Sequence, residues 1–159
     1  MGKDKKTNAM RILDQKNLSY DSKTYKTRDG KNDGISVAEK VNEAFSKVFK
    51  TLVVISDQRN IYVCMVPVNE HLSLKKVANV FNEKNIEMLD TKKLRSKTGY
   101  VKGGCSPIGM KSDYPTVIHK SAFEEETIVF SAGKVGIQLK MKIEDLKQVC
   151  DAVIEDIIQ

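Results

Sequence analysis

Tryptophan is absent from the 159 residues, histidine occurs twice, and cysteine and proline occur three times each. Each shortage removes a class of explanation. His71 and His119 stand far apart, with no second histidine or carboxylate at ligand spacing, so no metal site is expected. Cys64, Cys105 and Cys150 are odd in number and widely spaced, which argues against a disulfide framework or a zinc knuckle and leaves free thiols. No apolar run approaches the roughly 20 residues that span a bilayer, and the opening MGKDKKTNAM has no apolar leader core. Gly2 is followed at position 6 by lysine rather than Ser or Thr, which sets myristoylation aside. A cytoplasmic chain without a membrane partner is expected. The chain also lacks a G-x-S-x-G elbow, an H-E-x-x-H helix and a histidine–carboxylate pair near a serine, so no protein nucleophile stands out.

What is present is concentrated between residues 90 and 113. The segment TGYVKGGCSPIGM (98–110) holds Gly99, Gly103, Gly104, Pro107 and Gly109, residues that bend the backbone or let a ligand approach it closely. It matches neither G-x-G-x-x-G nor a Walker A loop, so no nucleotide cofactor is expected, and tight turns between strands would use the same residues. Lys92, Lys93, Arg95, Lys97, Lys102 and Lys111 surround it without one intervening acid. The whole chain carries 27 Lys plus Arg against 21 Asp plus Glu, a formal charge of +6. A cationic field around a glycine loop favours a phosphate-bearing ligand.

The periodicity predicts a helix over 7–17, a strand over 20–26, a flexible connection over 27–34, and a helix opened by a Ser36/Glu39 capping box. Two β-branched runs, 48–55 and 61–66, separated by SDQRN, predict a buried antiparallel hairpin. A helix starts at Ser73 and a short strand covers 86–89. Strands over 116–118, 127–131 and 135–141 follow, the last two joined at Ala132, Gly133 and Lys134. A closing helix carries Leu146, Val149, Cys150, Val153 and Ile157. One domain over 1–159 is expected, of mixed α+β class: a largely antiparallel β barrel or strongly curved sheet with peripheral helices.

Three places invite chemistry. Lys50 heads the apolar strand FKTLVV, where its ammonium either reaches solvent past an apolar stem or binds a phosphate or carbonyl oxygen, with the Thr51 hydroxyl beside it. Ser131, Gly133 and Lys134 in FSAGKVG form a small-residue turn with a cation, which is also an ordinary β-turn composition. Cys105 lies in the glycine loop among cations able to lower a thiol pKa, but neither histidine has a reason to face it.

The segments KTNAMRILD, Thr24–Tyr25, FKTLVV, IYVCMVPV, LSLKKVANVF, IEML, TGYVKGGCSPIGM, YPTVI and ETIVFSAGKVGIQL together resemble the YbaK family of trans-editing Cys-tRNA(Pro) deacylases, relatives of the insertion editing domain of bacterial prolyl-tRNA synthetases. The ordered set of KTL lysine, GGxSPIG loop and SAGK turn carries the likeness. It implies a mixed β barrel with surrounding helices and removal of cysteine from tRNA(Pro), with Cys-tRNA(Cys) a further substrate. The 3′ end of an aminoacylated tRNA is the implied ligand, and a complex with prolyl-tRNA synthetase the implied source of tRNA selectivity. By the same resemblance Lys50 contacts the terminal nucleotide or its phosphate, and the Gly103 N–H binds the substrate carbonyl. Tyr25, Thr51 and Ser131 fall on pocket positions, as do Gly104, Ser106, Gly133 and Lys134 of the two loops. Gln138 stands where some members carry an acid.

The family mechanism lets the substrate's own cysteinyl thiol attack its ester carbonyl, which accounts for a missing protein nucleophile. An intramolecular thiol gains an effective molarity of up to roughly 10⁵ M or more, and one oxyanion donor adds about 3 kcal/mol. Water-mediated hydrolysis of Ala-tRNA(Pro) and nonenzymatic RNA binding are the rival expectations.

Overall fold

The structure, a computed structural model, describes residues 6–159. Half of the opening decapeptide, Gly2 included, lies outside the described residues. Local chemistry sets the first elements. Thr7 Oγ1 accepts from the Met10 N–H and caps α1 (Asn8–Gln15), and β1 (Asp21–Thr24) follows. The next helix, α2 (Gly34–Lys40), is capped by Asp33 and not by the expected Ser36/Glu39 box; Ser36 instead donates to the Asp33 carboxylate through both its amide and its hydroxyl. An acid earlier in the chain takes the capping site, and the helix starts before its apolar face suggests.

The expected hairpin forms as β2 (Phe49–Ser56) and β3 (Ile61–Pro67), antiparallel from Phe49–Pro67 to Ile55–Ile61. Ser73 caps α3 (Leu74–Val80), and β4 (Ile86–Met88) pairs with the end of β2. The basic stretch contains a helix that periodicity does not announce, α4 (Thr91–Thr98), capped by Asp90 and stopped by Gly99 at φ 88°. After β5 (Thr116–His119) and a 3-10 turn (Lys120–Glu124), β6 (Thr127–Lys134) and β7 (Ile137–Lys142) form a second hairpin. Its turn sits at Val135–Gly136, and Ser131–Lys134 is a register shift inside β6, not the joint expected there. The closing helix is also shorter than expected. α5 (Ile143–Cys150) ends at Asp151 in a left-handed conformation, and the chain turns into β8 (Val153–Glu155) beside β5.

The mixed α+β class stands, whereas a closed barrel does not form among the described residues. There are two sheets, in strand orders β4-β2-β3-β5-β8 and β1-β7-β6. The pairs β3–β5 and β5–β8 are parallel and the others antiparallel. The sheets are joined by a bridge at Val48–Val129, where the Val129 N–H donates to the Lys47 carbonyl. Closure fails because β6 is taken by β7 on one side and on the other is bridged only to Val48, the residue before β2.

Leu13, Met65, Ile118, Phe130, Leu139 and Leu146 are buried together in the main core, and Val54, Tyr62, Cys64, Val66, Val77 and Ile157 make a second. Each such side chain contributes about 1.5–3 kcal/mol by leaving water. No helix of the described residues is long and apolar enough to cross a membrane.

Candidate active site

A cavity of about 790 Å³ opens where β2 is left uncovered. Along one edge β2 is paired to β3 throughout, but on the other edge β4 covers only Val54–Ser56, extended by the Leu89 N–H to the Val53 carbonyl. The bridge to β6 is at Val48. Main-chain groups on a strand alternate between edges, so Thr51, like Lys47 and Val53, turns its N–H and C=O toward this gap. Lys50 and Thr51 both line the cavity there. The Thr51 hydroxyl has no partner among the described residues.

Three further segments enclose the space. The 27–34 connection, read from sequence as flexible, is tied down by Lys40, whose ammonium donates to the Lys26 and Lys31 carbonyls and to the Asp29 carboxylate. Gly30 and Asn32 of this loop line the cavity. The β6–β7 hairpin supplies Ser131 and Gln138, opposite each other in register and both buried. The remaining wall is α4 with the glycine loop after it, which contributes Leu94, Lys102, Gly103 and Cys105.

That wall is shaped by side chains bonded to main chain. Thr98 Oγ1 donates to the Leu94 carbonyl and accepts from the Tyr100 N–H, and the buried Tyr100 hydroxyl donates to the Ile108 carbonyl. Ser106 Oγ accepts from the Ile108 N–H. Gly103 has φ +84°, a conformation that favours glycine. At Gly104 the requirement is space: an added Cβ would lie 2.9 Å from the Val135 nitrogen. At Gly133 it would lie 2.9 Å from the Tyr100 ring. The GG loop and the SAGK turn, distant in the chain, are therefore seated against one another.

Of the residues singled out from sequence, Lys50, Thr51, Gly103, Ser131 and Gln138 meet at the cavity. Tyr25, Gly104, Ser106, Gly133 and Lys134 are not on its surface. Tyr25 donates its amide to the Gly136 carbonyl, and its buried hydroxyl lacks a partner among the described residues. Ser106 is buried within the loop, Gly104 and Gly133 are packing positions, and Lys134 is exposed at the hairpin end. Sequence reasoning does not single out Asn32, Leu94 or the positioning residue Tyr100. The turn-rich DGKNDG composition marks Asn32 only as part of a connection, and a lone tyrosine beside Gly99 carries no signal of its own.

Burial lowers the Lys50 pKa from its ordinary value, with the Glu70 charge acting weakly the other way. A partly dehydrated ammonium interacts more strongly with an anion than one in bulk water. Burial pushes the Cys105 thiol up to about 12, against a smaller opposing effect of the Thr98 hydroxyl. The surrounding cations do not overcome that, so Cys105 is a protonated thiol at neutral pH. Neither histidine lines the cavity. His119 is buried beside β8, its Nδ1 accepting from the Ile157 N–H. The arrangement offers a cation, hydroxyls, an amide and shaped main chain, without an ionised nucleophile or a histidine base.

Residues 33–149 match the aminoacyl-tRNA editing domain model, a span holding every cavity-lining residue except Gly30 and Asn32. The chain belongs to the aminoacyl-tRNA editing domain family. A relative of this editing domain in Enterococcus faecalis, EbsC, is named as a Cys-tRNA(Pro)/Cys-tRNA(Cys) deacylase; it is 39% identical over 136 residues, covering 86% of this chain and 83% of that protein. Two solved structures share the editing domain's fold. One, titled a trans-editing enzyme for prolyl-tRNA synthetase, has TM-score 0.82 at 16% identity and covers 95% of this chain and 92% of its own. The other, a hypothetical protein, has TM-score 0.85 at 15% identity, covering 94% and 97%.

Proposed function

We propose that this chain is a single editing domain that cleaves the ester of Cys-tRNA(Pro), with Cys-tRNA(Cys) as a second substrate, using the substrate's own thiol. The observation that carries this reading is a cavity where Lys50, Thr51, Gly103, Ser131 and Gln138 meet, lined by one protein thiol that is protonated and by no histidine. The substrate sulfur attacks its ester carbonyl carbon, forming a C–S bond; the C–O bond to the ribose breaks, and the thiol proton passes to the departing ribose oxygen. The products are a cyclic thiolactone of cysteine and tRNA with a free 3′ end. Holding thiol and carbonyl together supplies much of the rate.

In this reading the Gly103 N–H donates to the developing oxyanion, and Lys50 holds the terminal nucleotide or its phosphate. Thr51, Ser131 and the neutral Gln138 orient the aminoacyl group, with Tyr25 behind them. Gly104, Ser106 and Gly133 set loop shape, and Lys134 sits at the margin for RNA phosphates. The name of the 39% identical relative supports cysteine as the amino acid. The cytoplasm, where charged tRNA is used, is the place of action, and a ternary complex with prolyl-tRNA synthetase supplies tRNA choice.

The test is deacylation of matched Cys-, Ser-, Ala- and Pro-charged tRNA(Pro), with the sulfur product identified by mass. Turnover of the cysteinyl ester with a thiolactone product, and sparing of the other three, is expected. Equal cleavage of the alanyl ester would overturn thiol assistance in favour of water attack. Salt-sensitive binding with no ester turned over would leave an RNA-binding module.

A further inference from the structure

The six cations between Asp90 and Asp113 are all exposed, and among the described residues none is in an ion pair. Four lie on α4. Its inner side is fixed by Leu94, which lines the cavity, and by Thr98, buried one turn later. At about 100° per residue this turns Lys92 and Lys93 outward and sets Arg95 and Lys97 on the two flanks of that outer face. The helix is anchored from outside as well: the Tyr114 hydroxyl donates to the Lys97 carbonyl at 2.6 Å, and the Lys111 ammonium donates to the Ser96 carbonyl. Cavity-lining residues bracket it, Thr91 at its start and Lys102–Gly103 just past its end.

We infer that the outer face of α4 docks an RNA duplex, the paired acceptor stem of the same tRNA whose unpaired 3′ end enters the cavity. This rests on the reading above. Charge complementarity and continuity with the cavity support it. The helix's eight residues span about 12 Å, enough to follow a short run of phosphates. A protein partner fits less well, because protein interfaces are depleted in lysine and need an apolar centre, and the exposed residues of α4 on its outer face and flanks are Lys92, Lys93, Arg95, Ser96 and Lys97. The face also lacks the amide and aromatic side chains that read or stack on bases, so it recognises phosphate and shape rather than sequence.

The experiment compares wild type with a variant carrying Lys92→Gln, Lys93→Gln, Arg95→Gln and Lys97→Gln, and with a control carrying Lys75→Gln and Lys84→Gln, exposed lysines elsewhere. The ligand is an RNA hairpin with an unpaired 3′ CCA end, titrated across salt concentrations; the substrates are Cys-tRNA(Pro) and 3′-cysteinyl-adenosine, which has no duplex. Thermal melting checks that each variant folds. With about 0.9 counterions released per phosphate contact, the α4 variant should lose about 2 to 4 from the slope of log affinity against log salt. Its hairpin affinity at low salt should fall about tenfold or more, and kcat/KM on Cys-tRNA(Pro) should fall with it. Activity on cysteinyl-adenosine should be unchanged, and the control should behave as wild type. An unaltered slope and affinity in the folded α4 variant overturns the proposal. So does loss of prolyl-tRNA synthetase binding with RNA binding intact. If wild type cleaves no ester but hairpin binding still depends on α4, the deacylase reading falls and the docking surface stands.

Discussion

The two sides of the cavity are built by different means. On one, Lys50 and Thr51 ride on β2, whose ladder to β3 runs from Phe49 to Ile55. On the other, Gly103 sits in a loop held by side-chain bonds from Thr98, Tyr100 and Ser106 and by close seating on the β6–β7 turn. A ladder holds its residues whatever their side chains, whereas the loop keeps its shape only while particular side chains, and particular absences of side chains, remain. Functional groups on the strand can therefore be removed without moving the backbone, and changes in the loop act through shape.

The largest effect is expected from Gly104→Ala. The new methyl meets the Val135 nitrogen at 2.9 Å and the Lys134 carbonyl carbon at 3.2 Å, both main chain, so the loop has to shift. A displacement near 1 Å costs about 100-fold in rate; deacylation assays and thermal melting should fall together. Lys50→Ala supplies the contrast. Deacylase activity should drop about 100-fold, yet melting should hold or rise, because burial already disfavours the charged ammonium. A matching loss of stability at Lys50 would break the distinction between the two sides.

Tyr100→Phe sharpens it from the loop side. The Ile108 carbonyl loses its donor, an unsatisfied buried group that costs about 1–3 kcal/mol in denaturant unfolding. With Gly103 less firmly placed, kcat should fall about tenfold with KM little changed. Cys105→Ala should be the mildest, costing about 1 kcal/mol of packing and leaving most activity in the same assay. A large loss there would restore a protein nucleophile.

The chain is most legible where apolar spacing and capping agree. The β-branched runs of the β2–β3 hairpin have no helical alternative, and Ser73 caps α3 where its spacing says it should. Legibility fails where one cue stands in for another. In α4 the run TKKLRSKT has a single large apolar residue, so no stripe marks it; only Asp90 before it and Gly99 after it do. Val149, Val153 and Ile157 keep helical spacing through the chain's last turn, but Asp151 adopts a left-handed conformation and the following residues pair with β5 instead. Nothing local foretells a parallel partner that far away in sequence. The site divides in the same way: Lys50 and Gly103 stand out by residue type, whereas Asn32 and Tyr100 matter through neighbours that only the fold supplies.

The buried sulfur of Cys105 has one more consequence. With burial pushing its pKa up to about 12, the sulfur stays a thiol at neutral pH. Peroxides and electrophiles attack the thiolate, so on the proposed reading the pocket would handle a reactive amino acid without exposing a comparable weakness of its own, and oxidative stress should leave its chemistry intact.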